Sequence, residues 1–128
     1  MTLIHKYTLW FLLVILGLSL IIPGLMNMLR PSMGGDVIFA ESIDGKNHLR
    51  AINAMIAAIG VLALWACMDI TNARQIVMGL GIILIFLVLA RVYSLFTDGV
   101  PSFTILSYLI MELLMAIIFL LWPPQNYE

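Results

Sequence analysis

Four apolar runs of twenty or more residues, at 7–29, 49–70, 75–96 and 103–122, are separated by one long and two short polar links. Few folds accept such runs. A hydrocarbon core of about 30 Å is crossed by roughly 20 residues of helix, each rising about 1.5 Å. Inside that core every backbone N–H and C=O must be satisfied within the segment, which selects helices for runs of this length. The residue balance agrees: 63% hydrophobic and 10% charged, where a soluble domain carries about 25% charged. A soluble fold of 128 residues has too little interior for this, so the excess meets lipid. The expected fold is all-α, a transmembrane four-helix antiparallel bundle in a single domain over 1–128. The 2–3 and 3–4 links are short, which makes those helices antiparallel neighbours.

The net charge of −1 gives no basic field and argues against nucleic acid as a partner. Cys67 is the single cysteine and lies in an apolar run, so no intrachain disulfide is available. No CxxC, HExxH or Cys/His cluster is present, and neither a metal site nor a catalytic residue is expected.

The first run follows a short head carrying His5 and Lys6. It exceeds the roughly 7–15 residues of a signal-peptide core and no A-x-A site follows, so it reads as an uncleaved helix. Pro23 should kink it. Gly17, Gly24 and Asn27 share a face suited to close helix approach. Residues 30–48 form the one long connection, with Pro31, Gly34, Gly35, Gly45, Lys46 and the acids Asp36, Glu41 and Asp44. It reads as a solvated loop, or as a loop with a turn of interfacial helix in its VIFAESI stretch. Helix two puts Arg50, Asn53, Ala57 and Gly60 on one face, with Trp65 toward the other interface. A tight turn at 71–74 leads to helix three, whose start Gly79 and Gly81 loosen. Asp98, Gly99 and Pro101 supply the next turn, and Ser102 is placed to cap helix four. Helix four carries Thr104, Tyr108, Glu112 and Ala116 as a stripe and stops at Pro123 and Pro124. An even helix count puts both termini on one side. The basic residues alone slightly favour that side outside, but the acidic long loop looks exported, and both termini are assigned to the cytoplasm.

Arg91 and Glu112 are the most informative residues. Each lies inside an apolar run, where an ionisable group costs roughly 2.5–3.5 kcal/mol at a helix centre. Arg91 lies five residues from the end of its run and Glu112 nine from the start of its own, a depth difference of roughly 6 Å. Helical side chains lean toward their own N-terminus. In antiparallel neighbours the two therefore lean toward each other. Tyr93, Tyr108, Ser94 and Ser107 reach similar depth, and Asn27, Arg50 and Asn53 add donors from the first two helices. The expected site is a polar pocket in one half of the bundle, with Arg50, Asn53, Arg91, Tyr108 and Glu112 binding ligand. Alternatively, Arg91 and Glu112 form a buried structural ion pair that only fixes register. Two arginines against one glutamate leave a positive surplus, which invites an anionic or carbonyl-bearing ligand unless Arg50 snorkels to the headgroups. His48 and Asn47 at the mouth read as solvated, the nine methionines as packing or lipid-facing filler, and Cys67 as inert.

Asn47, His48, Leu49 and Arg50, then Arg91, Val92, Tyr93 and Ser94, then Asp98, Gly99, Val100 and Pro101, then Glu112 resemble a family of small bacterial four-helix membrane proteins. That family is known only as a domain of unknown function and is similar to the DoxX-like group. The resemblance covers the chain from helix two onward. It implies a four-helix inner-membrane protein in which Arg50, Arg91 and Glu112 match the family's polar positions. Some DoxX-like members are similar to subunits of quinone-linked oxidoreductases, which implies a quinone or a redox partner; with one thiol, this chain has no pair for such chemistry itself. Small multidrug-resistance transporters also have four helices and one membrane glutamate, but theirs lies in helix one, which has no acid here.

The leading expectation is a non-enzymatic ligand-binding or accessory subunit holding a lipid or quinone-like ligand, as a homo-oligomer or within a larger membrane complex. No resident cofactor is expected. The alternatives are a proton-coupled small transporter using Glu112 and a lipid-modifying enzyme with Glu112 as acid or base and Tyr108 assisting.

Overall fold

The computed structural model describes residues 2–30 and 43–125. The described residues form four long helices: α1 (Leu3–Leu29), α2 (Ile43–Met68), α3 (Arg74–Thr97) and α4 (Phe103–Leu121). A single 3-10 turn, Ile70–Asn72, joins α2 to α3. All four helices are long and apolar enough to cross a membrane. The protein is thus an all-α, multi-pass membrane protein. The connection expected at 30–48 as a solvated loop, or as a loop with an interfacial helical turn, is helical from Ile43 on; its 31–42 part lies outside the described residues, as does Glu128.

Two helices begin a turn or more before their apolar runs. α1 begins at Leu3, not 7, and α2 at Ile43, not 49. Hydropathy marks the stretch that meets lipid, whereas a helix continues wherever its backbone bonds close. Asp44 in the first turn of α2 suits the positive end of the helix dipole. Pro23 lies within the continuous α1, on its exposed side.

The chain divides into two compact units. The first comprises residues 10–68, most of α1 together with α2. Its seam is built on small residues. A Cβ added at Gly17 would sit 2.7 Å from the Leu64 side chain, and one at Gly60 would sit 2.7 Å from the Gly17 carbonyl oxygen. A Cβ at Gly24 would meet the Ala57 backbone nitrogen at 2.9 Å. The rising order 17, 24 in α1 meets the falling order 60, 57 in α2, so the two run antiparallel. Backbones that approach this closely gain dispersion contacts, the main attraction available between helices in lipid.

The second unit comprises residues 1–9 and 69–128. Here α3 and α4 pack antiparallel: Gly81 lies against Leu120 and Phe119, and Arg91 against Glu112. Val77, Leu80, Leu84 and Val88 form the buried stripe of α3, facing Met115, Ala116 and Phe119 of α4. His5 brings in the first turns of α1. Its imidazole is 2% exposed, stacks on the Trp122 ring at 4.0 Å, and has Nε2 2.7 Å from the Trp122 carbonyl oxygen. A carbonyl can only accept, so Nε2 carries the proton. Arg74 Nη1 donates to the Pro124 carbonyl at 3.1 Å. Helix ends leave carbonyls without partners, and these two side chains satisfy carbonyls just past the end of α4. They also hold the first turn of α1 and the start of α3 beside the end of α4.

The turns follow from local chemistry. Asp69 accepts from the Thr71 hydroxyl at 3.1 Å and the Asn72 amide at 2.9 Å, which closes the α2–α3 link. After α3, Gly99 takes φ +103°, a conformation that glycine adopts without strain. Ser102 occupies the N-cap position of α4, but its hydroxyl makes no cap bond; its carbonyl receives the Leu106 N–H at 3.1 Å.

Candidate functional site

The buried stripe of α3 runs through 77, 80, 81, 84 and 88, and one more helical step reaches Arg91. On α4 the stripe at 119, 116 and 115 reaches Glu112 in the same way. Each charge is therefore the first polar residue past the end of an apolar seam. Beyond them, toward the 3–4 turn, no residue of α3 or α4 is buried.

Arg91 and Glu112 meet there as a two-pronged fork. Arg91 Nε donates to Glu112 Oε2 at 2.7 Å and Nη2 donates to Oε1 at 3.0 Å. Parallel charge-assisted bonds of this kind are roughly twice as strong as neutral ones and fix the guanidinium in plane. The inward lean of both side chains brings them together although they sit at different depths along antiparallel helices. The pair is not sealed: the side chains are 31% and 19% exposed. A guanidinium has five N–H groups. The fork uses two, and the other three have no acceptor among the described residues.

The remaining residues read as ligand contacts are placed as follows. Tyr108 lies one turn before Glu112 on α4, is 49% exposed, and makes no hydrogen bond among the described residues. Ser94 donates to Asp98 Oδ2 at 2.8 Å and Ser107 to its own helix at the Phe103 carbonyl. Tyr93 is 70% exposed. In the α1–α2 unit, Arg50 Nη1 donates to the carbonyls of Met28 and Leu29 at 2.9 and 3.2 Å. It thus neutralises the negative end of α1, as a cation at a helix C-terminus does. Asn53 donates to the Leu49 carbonyl of its own helix at 2.8 Å. Cys67 is half-buried, with Sγ 3.7 Å from the Trp10 carbonyl oxygen.

The His5–Trp122 and Arg74–Pro124 contacts have no counterpart in the sequence reading. They join residues 117 and 50 positions apart. The available signal was an aromatic and two prolines at the end of helix four, facing a histidine and an arginine at the same end of their own helices.

No curated protein and no solved structure matches the chain. The family described as "Domain of unknown function (DUF4345)" matches residues 8–123, from the second turn of α1 to just past the end of α4. This chain belongs to that DUF4345 family of unknown function.

Proposed function

We propose that the protein is a non-enzymatic ligand-binding or accessory subunit of a bacterial inner (cytoplasmic) membrane, with Arg91 as the donor to an amphiphilic ligand. The carrying observation is the half-used guanidinium. Glu112 holds it with two bonds, and three N–H groups have no acceptor among the described residues, at a part-exposed position inside a membrane-length helix. A donor left unpaired in hydrocarbon is costly, so a membrane molecule that brings an acceptor gains free energy there. Lipids and quinone-like molecules have both the acceptor and the apolar body. Tyr108, one turn from Glu112, offers a second polar group. A homo-oligomer or a larger membrane complex would cover the exposed ends of α3 and α4.

Both oxygens of Glu112 accept from Arg91, which favours an orienting role over those of proton carrier or catalytic base. The bacterial inner-membrane assignment and the DoxX-like relationship rest on the residues quoted for the resemblance. The cytoplasmic placement of both termini rests on the acidic 1–2 connection.

The test compares small molecules that co-purify with wild type and with Arg91→Ala, by mass spectrometry of solvent extracts. A species present with wild type and absent from the variant is expected. Identical extracts would refute the proposal.

A further inference from the structure

The charges around Arg91 decide what kind of acceptor it takes. Between residues 75 and 127 the chain has three charged side chains: Arg91, Asp98 and Glu112. The Arg91–Glu112 fork pairs one positive with one negative charge and sums to zero. Arg91 and Ser94 lie at i and i+3 on α3 and share a face, and Ser94 is bonded to the carboxylate of Asp98, the residue that ends the helix. The charged groups at this end of the α3–α4 unit, among its described residues, are thus the neutral fork and the Asp98 carboxylate.

The three N–H groups left without a partner among the described residues need an acceptor, but the site does not need a counter-charge. An anion there would leave an uncompensated negative charge in a low-dielectric region, which is strongly disfavoured. A neutral carbonyl oxygen has two lone pairs for these donors and adds no charge. Depth narrows the choice further. Glu112 is the middle residue of α4, and Arg91 lies six residues before the end of α3, about 9 Å along the axis. The acceptor must therefore reach below headgroup level.

We infer that the Arg91–Glu112 site takes a neutral carbonyl group of a membrane amphiphile and discriminates against anions; this rests on the ligand-binding reading above. The carbonyl is that of an acyl ester drawn inward or that of a free carbonyl amphiphile.

The test uses full-length protein in nanodiscs of ether-linked phosphatidylcholine, which contain no carbonyl. A long-chain methyl ketone, the alkyl sulfonate of equal chain length and the parent alkane are offered in equal amounts, and bound ligand is read by native mass spectrometry. Wild type is expected to retain the ketone over the other two by about tenfold or more. Glu112→Gln leaves the arginine charge uncompensated and should reverse the order in favour of the sulfonate. A wild-type preference for sulfonate or alkane, or an unchanged order in a folded Glu112→Gln protein, overturns the inference while the ligand-binding reading stands. Retention of all three at the level of Arg91→Ala overturns both. If Glu112→Gln does not fold, the wild-type comparison decides alone. Repeating the wild-type measurement in ester-linked phosphatidylcholine separates the two sources. Displacement of the ketone identifies the lipid ester, and its retention identifies a free carbonyl amphiphile; both support the neutral carbonyl.

Discussion

Replacing Arg91 by alanine tests how the charges are tolerated. The fork consists of two bonds at 2.7 and 3.0 Å. Side-chain hydrogen bonds between membrane helices average about 0.6 kcal/mol. Charge assistance roughly doubles that, so the fork contributes about 2.4 kcal/mol. Loss of Arg91 also leaves Glu112 alone at the middle of α4, where an orphan charge adds a cost of its own, reduced because Glu112 is 19% exposed. Each single variant, Arg91→Ala or Glu112→Ala, should therefore be destabilised by about 3 kcal/mol. The double variant removes the attraction together with both desolvation costs, and such exchanges are often neutral. It should fall within about 1 kcal/mol of wild type. The assay is reversible unfolding in mixed micelles followed by far-ultraviolet circular dichroism, analysed as a double-mutant cycle. If the double variant loses the sum of the two singles, the charges are independent and the account of the fork is wrong.

Gly60→Ala places a Cβ 2.7 Å from the Gly17 carbonyl oxygen and should cost about 1–3 kcal/mol, as overpacking does. Gly79→Ala meets nothing within 4 Å and should be neutral or stabilising by up to about 1 kcal/mol; thermal unfolding of both variants checks the contrast. His5→Ala removes the Trp122 carbonyl bond and the ring stack, a loss of about 1–3 kcal/mol. His5→Phe keeps the stack and should fall between wild type and alanine in the same measurement. The Asp69 carboxyl is held below the usual carboxylate range by the Asn72 amide first and the Thr71 hydroxyl second. Its folded value is depressed, so its contribution is complete above the ordinary carboxylate value and is lost as pH falls through the folded one. Carbon-detected NMR titration of Asp69 should show that lowered midpoint, and Asn72→Ala should raise it.

The helices were legible because a hydrocarbon solvent leaves the backbone one way to close its bonds over a run of twenty apolar residues. Their ends were less so. Asp44, Lys46, Asn47 and His48 are polar yet helical, because hydropathy reports the lipid contact and not the backbone ladder. The small-residue face at Gly17 and Gly24 was visible as spacing. That Leu64, Gly60 and Ala57 fill it depends on helix rotation, which sequence does not set. Position and charge mark Arg91 and Glu112 as residues that need partners in lipid. The partial exposure of their fork, and the three donors it leaves over, depend on where the apolar seam of α3 and α4 stops. Arg50 looked like surplus charge in sequence. The α1–α2 unit commits it to the carbonyls at the end of α1, a use that appears only once α1 and α2 lie side by side. His5 gives no local sign of its role, because its partner is 117 residues away. Sequence by itself determined the solvent, the four helices and the depth of each charge, since these follow from periodicity and transfer free energy. Tertiary structure decided which carbonyl, ring or carboxylate each polar side chain meets, since hydrogen bonds act over about 3 Å and only packing brings distant residues that close.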